Sequence, residues 1–300
     1  MSALRVGHFE KEGAGCGCTV FLFERPNRAV ASIRGGAPGS RELGVLTPGN
    51  LVEGVDAIFF TGGSAPGLRV ADGIVDFLLE REIGYSTPAG IIPIVAGGVI
   101  YDLELGERVF PEREWGKIAC ERVSSSPREG TVGAGVGATV GKAGGIKYAL
   151  KGGFGWGKSE VGGRAIHAFT VTNSLGAVYH PETGQLIAGP EKRGAQGASI
   201  SEKPAFFNTT LTLIVLEANF SREELLSLSQ VVHSALASCI RPFATLYDGD
   251  IIFLVSQGKG KIEYLPLVFG VYQSVFQAVL NAVGKARGIA GIPAVSELPG

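Results

Sequence analysis

The stretch KPAFFNTTLTLIVLEANF, residues 203–220, decides how this chain is read. Residues 211–216, LTLIVL, make an ordinary buried strand, apolar and rich in β-branched side chains. The entrance to that strand is less ordinary, because Asn208, Thr209 and Thr210 stand there, straight after a polar segment, 183–204, rich in Gly, Lys and Ser. As backbone chemistry alone, the threonines start a strand and Asn208 is the turn residue before it. A second reading is chemical. If the chain severs itself between Asn208 and Thr209, a threonine hydroxyl acquires an α-amine on its own residue. Such an amine has a pKa of about 7.7–8.0, so much of it is neutral near pH 7. It then takes the hydroxyl proton without any histidine. Segment 183–204 is expected to be a mobile surface loop that lets the new carboxyl end swing away.

The composition describes a folded globular chain. In 300 residues, 45% are hydrophobic and 18% charged, enough for a sizeable core in one domain spanning 1–300. A net charge of −1 and a pI near 6.5 give no global pull toward nucleic acid or an anionic membrane. The N-terminus MSALRVGHFEKEG lacks the apolar run of a secretory signal. No stretch reaches the ~18 apolar residues of a membrane span without Gly, Pro or charge, so a cytoplasmic location is expected. Cys16, Cys18, Cys120 and Cys239 fit that compartment as buried reduced thiols. Cys16-Gly-Cys18 has no second ligand pair at zinc spacing, so no metal is expected.

The 46 glycines cluster beside apolar residues, which marks tight turns and close backbone approach. They are densest over 130–163, 13 of 34 residues, where closely packed strands and loops are expected. Strands are expected over 18–23 and 29–33, separated by a Pro-Asn turn, and over 56–61. The last runs through Gly62-Gly63-Ser64 into a helix over 67–82. Residues 91–101 read as a buried strand bent at Pro93 and Gly97-Gly98, and 165–172 as a strand ending at Asn173-Ser174. Ser221 and Glu224 form a capping box before a helix with Leu225, Leu228, Val232, Ala235, Leu236 and Cys239 on one face, stopped by Pro242. A strand over 250–255 and a helix over 267–286 follow. This mix implies layers of helix packed on sheet.

Several polar residues suit chemistry at Thr209. Asp248 and Asp250 stand two apart at a strand entrance, where alternation puts both on one face; they orient an amine and a hydroxyl, or cap a turn. Asn173 presents its side-chain amide to an oxyanion, or makes an Asx-turn. Lys142 adds positive charge that keeps the amine deprotonated, or is a solvated surface lysine. Competing motifs fail on their own residues. The elbow-like AIFFTGGSAPGL at 57–68 has Pro66 where Gly-x-Ser-x-Gly needs glycine. The phosphate-loop-like stretch has Val136 and Ala143 at positions needing Gly and Ser or Thr, and the dinucleotide-like loop lacks its preceding strand. No cofactor is expected. The histidines (His8, His167, His180, His233) are scattered, and His233 reads as a partly buried helix residue.

Taken together, the segments VGHFEKEGAGCGCTVFL (6–22), RGGAPGSRELGVLTPGNLVEGVDAIFFTGGSAPGL (34–68), GTVGAGVGATVGK (130–142), VTNSLGAV (171–178), NTTL (208–211) and CIRPFATLYDGDIIF (239–253) resemble the L-aminopeptidase/D-esterase family, which includes the nylon-oligomer hydrolases. The resemblance implies an α+β fold, a four-layer αββα sandwich like that of N-terminal-nucleophile hydrolases but with its own connectivity. It implies self-cleavage into residues 1–208 and 209–300 at Asn208/Thr209, with Thr209 as nucleophile. It also implies a homo-oligomer, a tetramer of the cleaved unit. Carried over by motif, the carboxylates fall on Asp248 and Asp250, the oxyanion-side asparagine on Asn173, the glycine-loop lysine on Lys142, and a nearby tyrosine on Tyr101. In the aminopeptidase branch the new first residue is typically a serine after glycine. Here it is a threonine after asparagine, as in the nylon-oligomer branch, which leaves exo or endo action open.

The expected activity is therefore hydrolysis of amide bonds in a small peptide or amide substrate, with neither nucleic acid nor membrane as partner. An acyltransferase using the same Thr209, and an uncut binding protein, are the alternatives.

Overall fold

The computed structural model describes residues 5–11, 13–195 and 208–299. Its main elements in chain order are β1 (Arg5–Glu10), β2 (Gly17–Leu22), β3 (Arg28–Ile33), β4 (Ser40–Arg41), β5 (Ala57–Thr61), α1 (Val70–Leu79), β6 (Val95–Val99), α2 (Arg113–Glu121), β7 (Gly153–Val161), β8 (Arg164–Asn173), β9 (Thr209–Leu216), α3 (Arg222–Cys239), β10 (Ile251–Ser256) and α4 (Tyr264–Gly284).

Two five-stranded sheets carry the fold, in the orders β1-β2-β5-β6-β4 and β7-β8-β9-β10-β3. Both repeat one pattern of neighbours: antiparallel, antiparallel, parallel, antiparallel. In each sheet the single parallel pair is bridged by a helix, α1 between β5 and β6 and α3 between β9 and β10, as parallel neighbours require a crossover. The expected strands 18–23 and 29–33 do form, but β2 and β3 belong to different sheets. Asn27 pins the segment between them, donating to the Glu24 and Val55 carbonyls and accepting from the Val55 N–H.

Side-chain alternation builds the layers. In β9, Leu211, Leu213 and Val215 enter the core between the sheets with Phe21, Ile58, Phe60, Phe169 and Phe253. Ile214 and Leu216 face the opposite way, into a core shared with α3 and α4. In β2 and β5, Cys18, Val20, Ala57 and Phe59 face α1 and α2. The order is thus helices, sheet, sheet, helices: an αββα sandwich.

Glycine sets one of the interlayer distances. A Cβ on Gly155 or Gly157 of β7 would lie 1.9 Å from the carbonyl oxygen of Ala278 or Ser274 on α4, so the helix rests directly on strand backbone. By length and composition α4 is apolar enough to cross a membrane; half of its most apolar window is buried inside this fold.

Local signals held where they were strong. The capping box of Ser221 and Glu224 is formed in both directions, and α3 ends before Pro242. The helix expected over 67–82 begins as a 3-10 turn, Ala65–Arg69, because Pro66 and Gly67 suit a tight entry better than an α-turn. The bent strand over 91–101 is two strands, Gly90–Ile92 and β6, separated at Pro93. The polar segment 183–204 is not all loop: Leu186–Ala188 pairs as a strand and Pro190–Arg193 is a 3-10 turn. Residues 196–204 of that expectation lie outside the described residues. All four cysteines are free and buried.

Candidate active site

Thr209 is the first residue of β9 and lies opposite Asn173, the last residue of β8. Both share parity with residues lining the space between the sheets, Leu211 on one strand and Val171 on the other. Because β10 runs parallel to β9, its entrance lies at the same sheet end, which delivers Asp248 and Asp250 there. Sheet topology alone therefore gathers four of the expected residues.

The Thr209 hydroxyl oxygen lies 2.6 Å from the carbonyl oxygen of Asn208. That carbonyl also accepts from the Gly249 N–H at 2.7 Å, and the Asn208 N–H donates to the Tyr247 carbonyl at 3.0 Å. The peptide ahead of Thr209 is thus strapped to the Tyr247–Gly249 turn on both sides. Asp250 reaches under it: its Oδ1 accepts from the Thr210 N–H at 2.5 Å and its Oδ2 from the Ala244 N–H at 3.2 Å. Asp248 braces the turn, with Oδ2 accepting from the Thr245 N–H and hydroxyl at 2.9 and 2.5 Å.

Lys142 is not a surface lysine. It is buried, and its Nζ donates to Asn173 Oδ1 at 2.8 Å and to the Asn173 carbonyl at 3.1 Å. Burial drives its pKa down to about 7, against the opposing attraction of Asp248, Glu104, Asp102 and Asp250. Burial, and then the charge of Asp248, push Asp250 well above the usual carboxylate range, while the N–H groups of Thr210 and Ala244 pull the other way.

Asn173 does not make a simple Asx-turn. Its Oδ1 also accepts from the Thr139 N–H at 3.0 Å, and its Nδ2 donates to the Tyr101 carbonyl at 3.3 Å. Tyr101 is therefore tied to the site through its backbone. Its phenol is half-buried, with a pKa raised by burial and by Glu104.

Three groups near this region have no strong sequence signal. The Gly249 N–H is invisible to a reading of side chains, although its place between two aspartates hints at it. Asp102, next to Tyr101, is buried, accepts from the Gly63 N–H at 2.7 Å, and has a pKa pushed up to about 6 by burial. Lys151 is wholly buried and donates to the Val136 and Ala138 carbonyls at 2.6 and 2.5 Å; burial lowers its pKa to about 7. Nothing in the sequence separates it from a surface lysine. Ser64, the serine of the elbow-like stretch, has a left-handed φ of 56°, and among the described residues no histidine hydrogen-bonds to it. His233 pairs instead with the Ser32 hydroxyl at 3.1 Å and is held neutral by burial, its pKa near 4.

Known proteins resemble this chain in sequence and in fold. An uncharacterized aminopeptidase of Mycobacterium tuberculosis is 34% identical, over 99% of this chain and 96% of its own length. The 6-aminohexanoate-oligomer endohydrolase of Paenarthrobacter ureafaciens is 29% identical over 87% of this chain and 75% of its own length. Among solved structures, the L-aminopeptidase D-Ala-esterase/amidase of Ochrobactrum anthropi, described as a variant of the N-terminal-nucleophile hydrolase fold, superposes with a TM-score of 0.74. It is 17% identical, over 96% of this chain and 86% of that one. A Burkholderia β-aminopeptidase gives 0.70 at 17% identity over 98% and 88%. The sandwich is thus that of the N-terminal-nucleophile hydrolases. The sequence pattern of one peptidase family spans residues 1–295, nearly the whole chain, and by that match the protein belongs to peptidase family S58.

Proposed function

We propose that the chain cuts itself between Asn208 and Thr209, and that Thr209 then hydrolyses amide bonds as an N-terminal nucleophile. The observation that carries this reading is the 2.6 Å contact between the Thr209 hydroxyl and the Asn208 carbonyl, within a peptide already fixed by hydrogen bonds on both sides. In the uncut chain there is no α-amine, so another base must take the hydroxyl proton. Lys142 suits that task, since with a pKa of about 7 much of it is a neutral amine near neutrality. The hydroxyl oxygen bonds to the Asn208 carbonyl carbon, the carbon–nitrogen bond breaks, and the nitrogen takes up a proton. Water opens the resulting ester, leaving a carboxylate on Asn208 and a free amine on Thr209.

In the mature enzyme that amine takes the hydroxyl proton while Thr209 attacks a substrate carbonyl, and it returns the proton to the leaving amine. Water then releases the acyl group. Asp250 holds the adjacent Thr210 N–H and so fixes the nucleophile's backbone, and Asn173 positions Lys142. Tyr101 joins the site through its carbonyl, which accepts from Asn173 Nδ2. The aminopeptidase and 6-aminohexanoate-oligomer endohydrolase relatives support a small peptide or amide substrate. A cytoplasmic location and an oligomer of the cleaved unit belong to the same proposal and rest on the sequence reading alone.

Intact-mass measurement tests the reading. Wild-type protein is expected as two pieces parted before Thr209, with Thr209→Ala left whole. A preparation that is active yet only full-length defeats the proposal.

A further inference from the structure

This inference rests on the self-cleavage reading above. We propose that the backbone N–H of Gly249, and not the side-chain amide of Asn173, stabilises the oxyanion formed on the Asn208 carbonyl oxygen during self-cleavage. When the Thr209 hydroxyl oxygen bonds to the Asn208 carbon, the carbonyl π pair moves onto that oxygen. A donor already 2.7–3.1 Å away then stabilises the charge without rearrangement. The Gly249 N–H stands at 2.7 Å.

Asn173 is committed elsewhere. Its Oδ1 accepts from the Thr139 N–H, which only donates, and from Lys142 Nζ, while its Nδ2 faces the Tyr101 carbonyl, which only accepts. The amide therefore has one orientation that satisfies all three partners. Turning Nδ2 toward Asn208 breaks that set.

The turn that carries Gly249 is fixed before the reaction. Asn208 donates to Tyr247 and accepts from Gly249, the Asp248 carbonyl accepts from the Ala37 N–H at 3.1 Å, and the two aspartates hold Thr245 and Ala244. Only glycine allows this approach. A Cβ at position 249 would lie 2.4 Å from the Ala37 carbonyl oxygen and 3.0 Å from the Thr209 hydroxyl oxygen. The flanking carboxylates should oppose an oxyanion, yet Asp250 is pushed toward its neutral form by burial and by Asp248.

The test replaces the Gly249 amide N–H with an ester oxygen, by incorporating glycolic acid at that position. Self-cleavage is then timed by intact mass as the chain refolds from denaturant. A slowing of about 10²–10³-fold is expected. A second measurement does not depend on turnover: in the uncut Thr209→Ala chain carrying a ¹³C-labelled Asn208 carbonyl, the infrared carbonyl band should move to higher frequency when the Gly249 N–H is removed. Equal cleavage rates, or an unmoved band, overturn the assignment while leaving self-cleavage standing. A wild-type chain that never cuts under the same conditions removes the parent reading, and this one with it.

Discussion

Asn173 and Thr209 face each other across the β8–β9 ladder, and Lys142 reaches that pair by bonding Asn173 twice. The proposed nucleophile and the proposed base are thus joined through one asparagine.

The proposed base makes maturation pH-dependent. The neutral amine is the working form, so the self-cleavage rate should climb as pH rises through about 7 and level off above it. Lys142→Arg, which stays protonated, should leave a whole chain even at pH 9. Stopped refolding followed by gel or mass analysis reads both outcomes, and a flat profile between pH 5.5 and 8.5 rules Lys142 out as the base.

Asn173→Asp should move that profile. A carboxylate 2.8 Å from Nζ favours the ammonium, and an opposite charge at such range shifts a pKa by about 1–3 units. The midpoint should move toward alkaline pH by at least about one unit. An unchanged midpoint with a lowered plateau would mean that Asn173 acts without touching the proton balance of Lys142.

The sequence carried the architecture further than the electrostatics. The helix α3 was legible because its cap and its apolar face are local patterns. Thr209, Asn173, Lys142, Asp248 and Asp250 could each be singled out in the sequence, but only beside a plainer reading as strand, turn or surface residues, and the family resemblance was what drew them into one candidate site. Their gathering depends on the parallel register of β9 and β10, which no spacing encodes. The helix α2 escaped notice because its short sequence buries little beyond Trp115, Gly116, Ala119 and Cys120 and reads as polar. Lys151 and the Gly249 N–H escaped because burial and backbone direction are properties of the folded chain.

Buried lysines should make stability itself rise with pH. Lys142 and Lys151 have folded-state pKa values near 7, below the ordinary 10.5. Between those limits the unfolded chain binds protons that the native chain does not, so unfolding becomes harder as pH rises. The uncut Thr209→Ala chain isolates this effect. Lys151→Met in that background should lower stability overall and remove up to about 1.4 kcal/mol per pH unit from the slope above pH 7. Urea midpoints from pH 7 to 10 check it, and identical slopes would falsify the assignment.

The contact of β7 with α4 leaves no room for a methyl group. Gly157→Ala places a Cβ 1.9 Å from the Ser274 carbonyl oxygen, which must push α4 outward. A loss of about 3 kcal/mol is expected. Gly44→Ala, where nothing lies within 4 Å, should change stability by less than about 0.5 kcal/mol. Denaturant melts of the two variants side by side check the contrast.

The strand order β7-β8-β9-β10-β3 has a last consequence. After a break ahead of Thr209, β9 and β10 belong to the shorter piece, whereas β8 on one flank and β3 on the other belong to the longer. The strands of the shorter piece are then clasped between two arms of the longer one, and its own helices α4 and α3 reach back over the longer piece's β7 and β3. The second sheet is complete only while the two pieces stay together, so the nicked molecule should travel, melt and refold as a single inseparable body.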